Sequence, residues 1–183
     1  KLFIDRVDPI NIKALKDFSG GAYVFWQDKK GSSESDINFI HLNKNGDVSF
    51  RADGKTVSTR LGAKENPIAV VEPSGNSVVL WKGYDSRKNP ELFIQKLSKN
   101  GLRLWQSEGI QLSESKIEKI DYSLRVDKRG YAYTCFITKS SPSANKFSVR
   151  YNTITPNGKI LNDGVKDGLY RSNNTLSETE IIP

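Results

Sequence analysis

Three segments decide the fold: DFSGGAYVFW (17–26), EPSGNSVVLW (72–81) and DKRGYAYTCF (127–136). They align without a gap. Gly20, Gly75 and Gly130 fall 55 residues apart, and so do the closing aromatics Trp26, Trp81 and Phe136. A second block follows in each copy: INFIHLNKNG (37–46), LFIQKLSKNG (92–101) and VRYNTITPNG (149–158), ending at Gly46, Gly101 and Gly158. A third landmark, Gly54, Gly109 and Gly164, again recurs every 55 residues. The first and third landmarks keep one register across three copies, with the second block two residues later in the third copy, and together they mark a tandem array.

Within one copy the residues describe four short strands. In the second copy PIAVVE is an apolar run, and PSGN after it has turn chemistry, since glycine takes positive φ and Pro and Asn favour turns. NSVVLWKGYD is rich in β-branched and aromatic residues. ELFIQKL shows period-2 character and runs into Asn100-Gly101, a two-residue hairpin signal. LRLWQ then reads as a short fourth strand. In the first copy the four strands are expected near 12–17, 21–28, 36–43 and 47–51, with equivalents one repeat later; SESKIEKI (113–120) allows at most one helical turn.

The fold class is therefore all-β, with tandem four-stranded antiparallel blades of about 55 residues forming part of a β-propeller. One such sheet cannot bury both faces, and stacking the next blade on it does. Trp26, Trp81 and Phe136 are expected to fill the space between blades. The copies divide as blade 1 (12–66), blade 2 (67–118) and blade 3 (119–174). Residues 1–11 read as the end of a preceding unit and 175–183 as the start of a fourth. Three blades are fewer than the roughly four to eight of a closed propeller. The expectation is an excerpt of a longer chain, or a ring completed by oligomerisation or a partner.

The pattern D-x-x-G-G-x-x-V-x-W, a polar loop, then I-x-x-I-x-L-x-x-N-G ahead of an aromatic, resembles blades in secreted and surface proteins of the Bacteroidota. The resemblance covers about residues 9–170; it implies export by the type IX route and a place at or beyond the outer membrane. It carries no catalytic residues. The copies depart from the pattern where Asn76 and Tyr131 replace the second glycine and Phe136 replaces Trp.

Function is read against that architecture. The formal net charge is +7, but the basic residues are scattered among turn-like segments, which describes a solvated basic surface and argues against a nucleic-acid partner. No stretch approaches the roughly 18 apolar residues that span a bilayer as a helix. Cys135, the single cysteine, sits in a β-type apolar run. His41 is the single histidine, so a multi-histidine metal site is excluded and a Ser-His-Asp triad would depend on it alone. Asp17, Glu72 and Asp127 share one register, which argues for turn capping. LNKNGD (42–47) reads as a hairpin turn rather than a calcium loop. Asn173-Asn174-Thr175 forms a glycosylation sequon.

From these residues we expect no enzyme, no cofactor and no metal site. The leading function is an interaction or scaffold module outside the cell, whose partner is another protein or the remaining blades. The alternatives are a lectin-like propeller binding an anionic or neutral glycan, and a fragment of a propeller glycosidase. Phe50 and Trp105 match at the fourth-strand position while the third copy has Asn162, so Trp105 is the one residue singled out for ligand contact.

Overall fold

In a computed structural model the structure describes residues 8–31, 34–51, 53–85, 87–113, 118–139, 147–162 and 170–172. Each repeat is an antiparallel meander. Blade 1 is β1 (Asp8–Lys16), β2 (Ala22–Lys29), β3 (Ser35–Leu42) and β4 (Lys55–Thr56), hydrogen-bonded in that order. Blade 2 repeats it with β5 (Glu65–Val71), β6 (Ser77–Tyr84), β7 (Pro90–Leu97) and β8 (Ile110–Gln111). Blade 3 is β9 (Glu118–Val126), β10 (Ala132–Lys139), β11 (Phe147–Ile154) and β12 (Ile160–Asn162), with β13 (Tyr170–Ser172) also paired to β11. No helix occurs among the described residues, so the chain is all-β, in three tandem blades. Of the helical turn allowed in SESKIEKI, residues 114–117 lie outside the described residues, and from Glu118 the chain is β9.

The 55-residue turn glycines earn their place locally. Gly20, Gly75 and Gly130 close the first hairpin of each blade with φ of 91°, 85° and 81°, left-handed values that a side chain disfavours. The acid three residues earlier caps that turn. Asp17 Oδ1 accepts the backbone N–H of Ser19 and Gly21 (2.9 and 2.5 Å), and Asp127 Oδ1 accepts those of Arg129 and Tyr131 (2.9 and 3.0 Å).

Alternation along the strands sends the two faces of blade 2 into two different cores. Val78, Leu80, Leu92 and Ile94 meet Leu124, Ala132 and Phe136 of blade 3. Val79, Trp81, Phe93 and Leu97 meet Tyr23, Phe25, Ile37 and Phe39 of blade 1. Trp81 thus lies between two sheets, fully buried. Trp26, equally buried, belongs to neither cluster: Phe25, its neighbour on β2, faces blade 2, so the pleat turns Trp26 to the other face of blade 1.

The fourth edge differs from the sequence expectation. After the hairpin turn the chain pairs only through single bridges, Leu42 with Val48 and Leu97 with Arg103, and regular pairing resumes at β4 and β8 instead of 47–51 and its equivalent. In blade 3, β12 and β13 form the same two-part edge. The reason is packing. Phe50 and Trp105 leave their own ladder to pack under the next blade's turn glycine, so a Cβ on Gly101 would sit 3.2 Å from Phe50 Cδ1, and one on Gly158 2.8 Å from Trp105 Cδ1. A short, interrupted edge also blunts strand-to-strand aggregation.

Polar bridges fasten the blades. The Tyr23 hydroxyl donates to the Gly75 carbonyl (2.6 Å), and the Tyr122 hydroxyl to that of Asn66 (2.6 Å). Arg103 Nη2 donates to the Thr56 carbonyl (2.7 Å), and Lys119 Nζ to that of Pro90 (2.7 Å).

Candidate functional site

The first strands of the blades, β1, β5 and β9, pack against one another in series. Each is bulged near the same point of the repeat. Pairing of β1 with β2 slips between Ile10 and Lys13, and that of β5 with β6 between Glu65 and Ile68. On β9 the slip falls between Lys119 and Asp121. A bulge inserts a residue, bends the strand and re-aims a side chain. Asn11 and Asn66 occupy these positions with φ of 54° and 51°, a region asparagine tolerates better than most residues. Asp121 has the same repeat position in blade 3, at the end of its bulge and paired with Ile137.

These three residues, one from each blade, line a single open recess of about 350 Å³. Asn11 and Asn66 are exposed and Asp121 is half-buried. Lys13 adds one cation, so the charged groups on the lining balance. Pro67 and Ile68 supply an apolar wall.

The lining is fixed from behind. Asn11 Nδ2 donates to Gln27 Oε1 (3.0 Å), and the backbone N–H of Asn66 points to the same oxygen (3.4 Å). Asp121 Oδ1 accepts the Tyr122 N–H (2.8 Å). Burial pushes the Tyr122 hydroxyl well above the ordinary phenol range, and that hydroxyl donates to the Asn66 carbonyl. Tyr84, lifted to about 12 by burial and its hydrogen bond to Glu65 (2.7 Å), steadies the strand behind Asn66. The recess offers amide donors and acceptors, one carboxylate and one ammonium against an apolar wall. That is the equipment of a binding site for a polar ligand.

This site escaped the sequence reading, although its signal was there: Asn11, Asn66 and Asp121 follow the same 55-residue period as the turn glycines. A blade 1 counted from residue 12 leaves that series without its first member, Asn11, which lies in β1 (Asp8–Lys16).

The residues that were singled out lie elsewhere. Trp105 is half-buried at the junction of blades 2 and 3, its indole N–H donating to the Pro156 carbonyl (3.1 Å). His41 is buried on β3 between two partners, with Nε2 2.8 Å from Asp17 Oδ2 and Nδ1 2.9 Å from Ser49 Oγ. The blade 2 counterpart is the ion pair of Lys96 Nζ with Glu72 Oε1 at 2.7 Å, both buried. Recurrence of an acid tied to the third strand makes the Asp17–His41 contact a brace of the blade. Asp28 is buried, and its carboxyl is raised chiefly by that burial, with Trp26 and Asn38 as neighbours that favour the charged form. Asp85 caps its own loop through the N–H groups of Arg87 and Asn89. In LNKNGD, Asn43 Oδ1 accepts the N–H of Asn45 and Asp47, closing a hairpin turn. The sequon at Asn173 lies outside the described residues. Among the described residues no three His, Cys, Asp or Glu side chains gather as a metal site, and no helix is long and apolar enough to cross a membrane.

No protein-family model and no curated protein matches the chain. Among solved structures it is similar to the endo-arabinase from Bacteroides thetaiotaomicron VPI-5482, with 10% identity and a TM-score of 0.42. The match covers 82% of this chain and 61% of that one, so the chain spans less than two thirds of that structure. The protein so matched is an enzyme, and this corrects one expectation: the lack of a catalytic motif does not exclude an enzyme for this fold. What the chain displays is a run of three propeller blades with a polar recess where their first strands bulge.

Proposed function

We propose that the three blades belong to an interaction module that holds a macromolecular partner at the recess formed by the first-strand bulges. The observation that carries this reading is convergence: Asn11, Asn66 and Asp121, one residue per blade at one repeat position, line the same pocket. Asn66 also braces the blade junctions through its backbone, which fixes its place on the lining of the recess. The rigid stack behind them, tied by Tyr122 and Gln27, presents the lining at little ordering cost. The resemblance of the repeat to blades of secreted and surface proteins of the Bacteroidota supports an exported protein using the type IX route.

Two measurements test it. The full-length protein, immobilised, should retain a partner from the surface fraction of the cells that make it, and Lys13→Glu together with Asn66→Gly should release that partner. Equal retention by the variant would move the seat away from the recess. Cell fractionation tests the location: protein confined to the cytoplasm would sink the export reading.

A further inference from the structure

We infer that the ligand seated in the recess is a neutral carbohydrate chain; this rests on the reading of the recess as the binding seat. The chemistry of the lining points there. Asn11 and Asn66 bring carboxamides, each able to donate and accept, which is what vicinal hydroxyl groups require. Lys13 and Asp121 carry opposite charges on one lining and leave no net charge to select an ion. Pro67 and Ile68 form a wall suited to the C–H face of a sugar ring. At about 350 Å³ the recess stands at the small end of ligand sites and is open, so it fits one or two sugar units of a chain that continues past it.

Placement adds a second argument. The three polar positions come from successive blades, so they are set side by side at the spacing of the first strands. A ligand that repeats its own hydroxyl pattern meets them in turn. Gln27 fixes the Asn11 carboxamide, and Tyr122 fixes the Asn66 backbone from which the second carboxamide projects, so the backbone and one amide are ordered before the ligand arrives.

The test is titration of the full chain with hexasaccharides of glucose, xylose and mannose, with a sulfated disaccharide and with a cationic amino-sugar oligomer, followed by saturation-transfer NMR and calorimetry. At least one neutral hexasaccharide should bind with a Kd in the micromolar to millimolar range, and the sulfated sugar should not. Asn66→Gly keeps the left-handed backbone that Asn66 adopts and removes only the amide; it should weaken binding about tenfold or more with an unchanged melting temperature. Asp121→Asn keeps an acceptor for the Tyr122 N–H but removes the charge, and should weaken binding as well. Preferential binding of a cationic amino-sugar oligomer over all three neutral sugars would show a cationic ligand and overturn the inference. So would absence of binding by all three neutral sugars, or binding indifferent to Asn66→Gly. If the sugars fail while the cell-surface partner is still released by the Lys13 and Asn66 changes, the carbohydrate inference falls and the interaction reading stands.

Discussion

The ring of Trp81 lies directly on Gly109: a Cβ built at Gly109 would stand 2.5 Å from Trp81 Cη2. The same contact joins Trp26 and Gly54, where the distance would be 2.7 Å. Two landmarks of the repeat, the aromatic of the second strand and the glycine before the short fourth strand, are thus one packing unit. The indole crosses the sheet, and the glycine leaves it room while bending the chain with φ of 88°.

Trp81→Ala removes the centre of the core between blades 1 and 2. It should cost about 3–5 kcal/mol, as for other buried large aromatics. Chemical denaturation of the full chain checks this; a loss below about 1 kcal/mol would show that the two blades do not depend on this ring.

Gly109→Ala should destabilise on two counts, a backbone in the left-handed region and a methyl group driven into the indole. In a Trp81→Phe background the second count shrinks. A double-mutant cycle should therefore show coupling of about 0.5–3 kcal/mol. Strict additivity would mean that the backbone alone requires glycine.

The ion pair of Lys96 with Glu72 is buried, so Lys96→Met alone strands a carboxylate and should cost about 3–5 kcal/mol. Changing both residues, to Lys96→Met with Glu72→Gln, should recover most of that loss. Thermal melting of the two variants decides it.

Asp17 gives a pH signature. Burial raises its carboxyl, but hydrogen bonds from Ser19, His41 and the Gly21 N–H outweigh this and hold it well below the ordinary value of 3.8. A carboxylate lowered by folding stabilises fully above its unfolded pKa, and that contribution is lost as pH falls toward the folded value. Stability of the parent should thus drop below about pH 4 more steeply than that of Asp17→Asn. Parallel acid-denaturation curves would show that the cap contributes nothing.

Tyr122→Phe removes the hydroxyl that ties blade 3 to the bulge of blade 2. The expected loss of stability is about 1 kcal/mol, with the Asn66 carbonyl left to water. Amide exchange at residues 65–68 should accelerate; unchanged exchange there would remove Tyr122 from the support of the recess.

The array of blades was legible in the sequence because a repeat writes its period into residues that tolerate few alternatives. Gly20, Gly75 and Gly130 need a left-handed turn, Trp26 and Trp81 need a glycine beneath them, and both demands are local to one blade. The first three strands could be read for the same reason, since alternation and turn chemistry act over a few residues. The fourth edge could not, because Phe50 and Trp105 are drawn out of their own ladder by the turn of the following blade, a contact more than 50 residues away. Nor could the recess. Asn11, Asn66 and Asp121 are ordinary polar residues one at a time, and only the stacking of β1, β5 and β9 brings their bulges to one place. Local sterics set the repeat; packing between repeats makes the site.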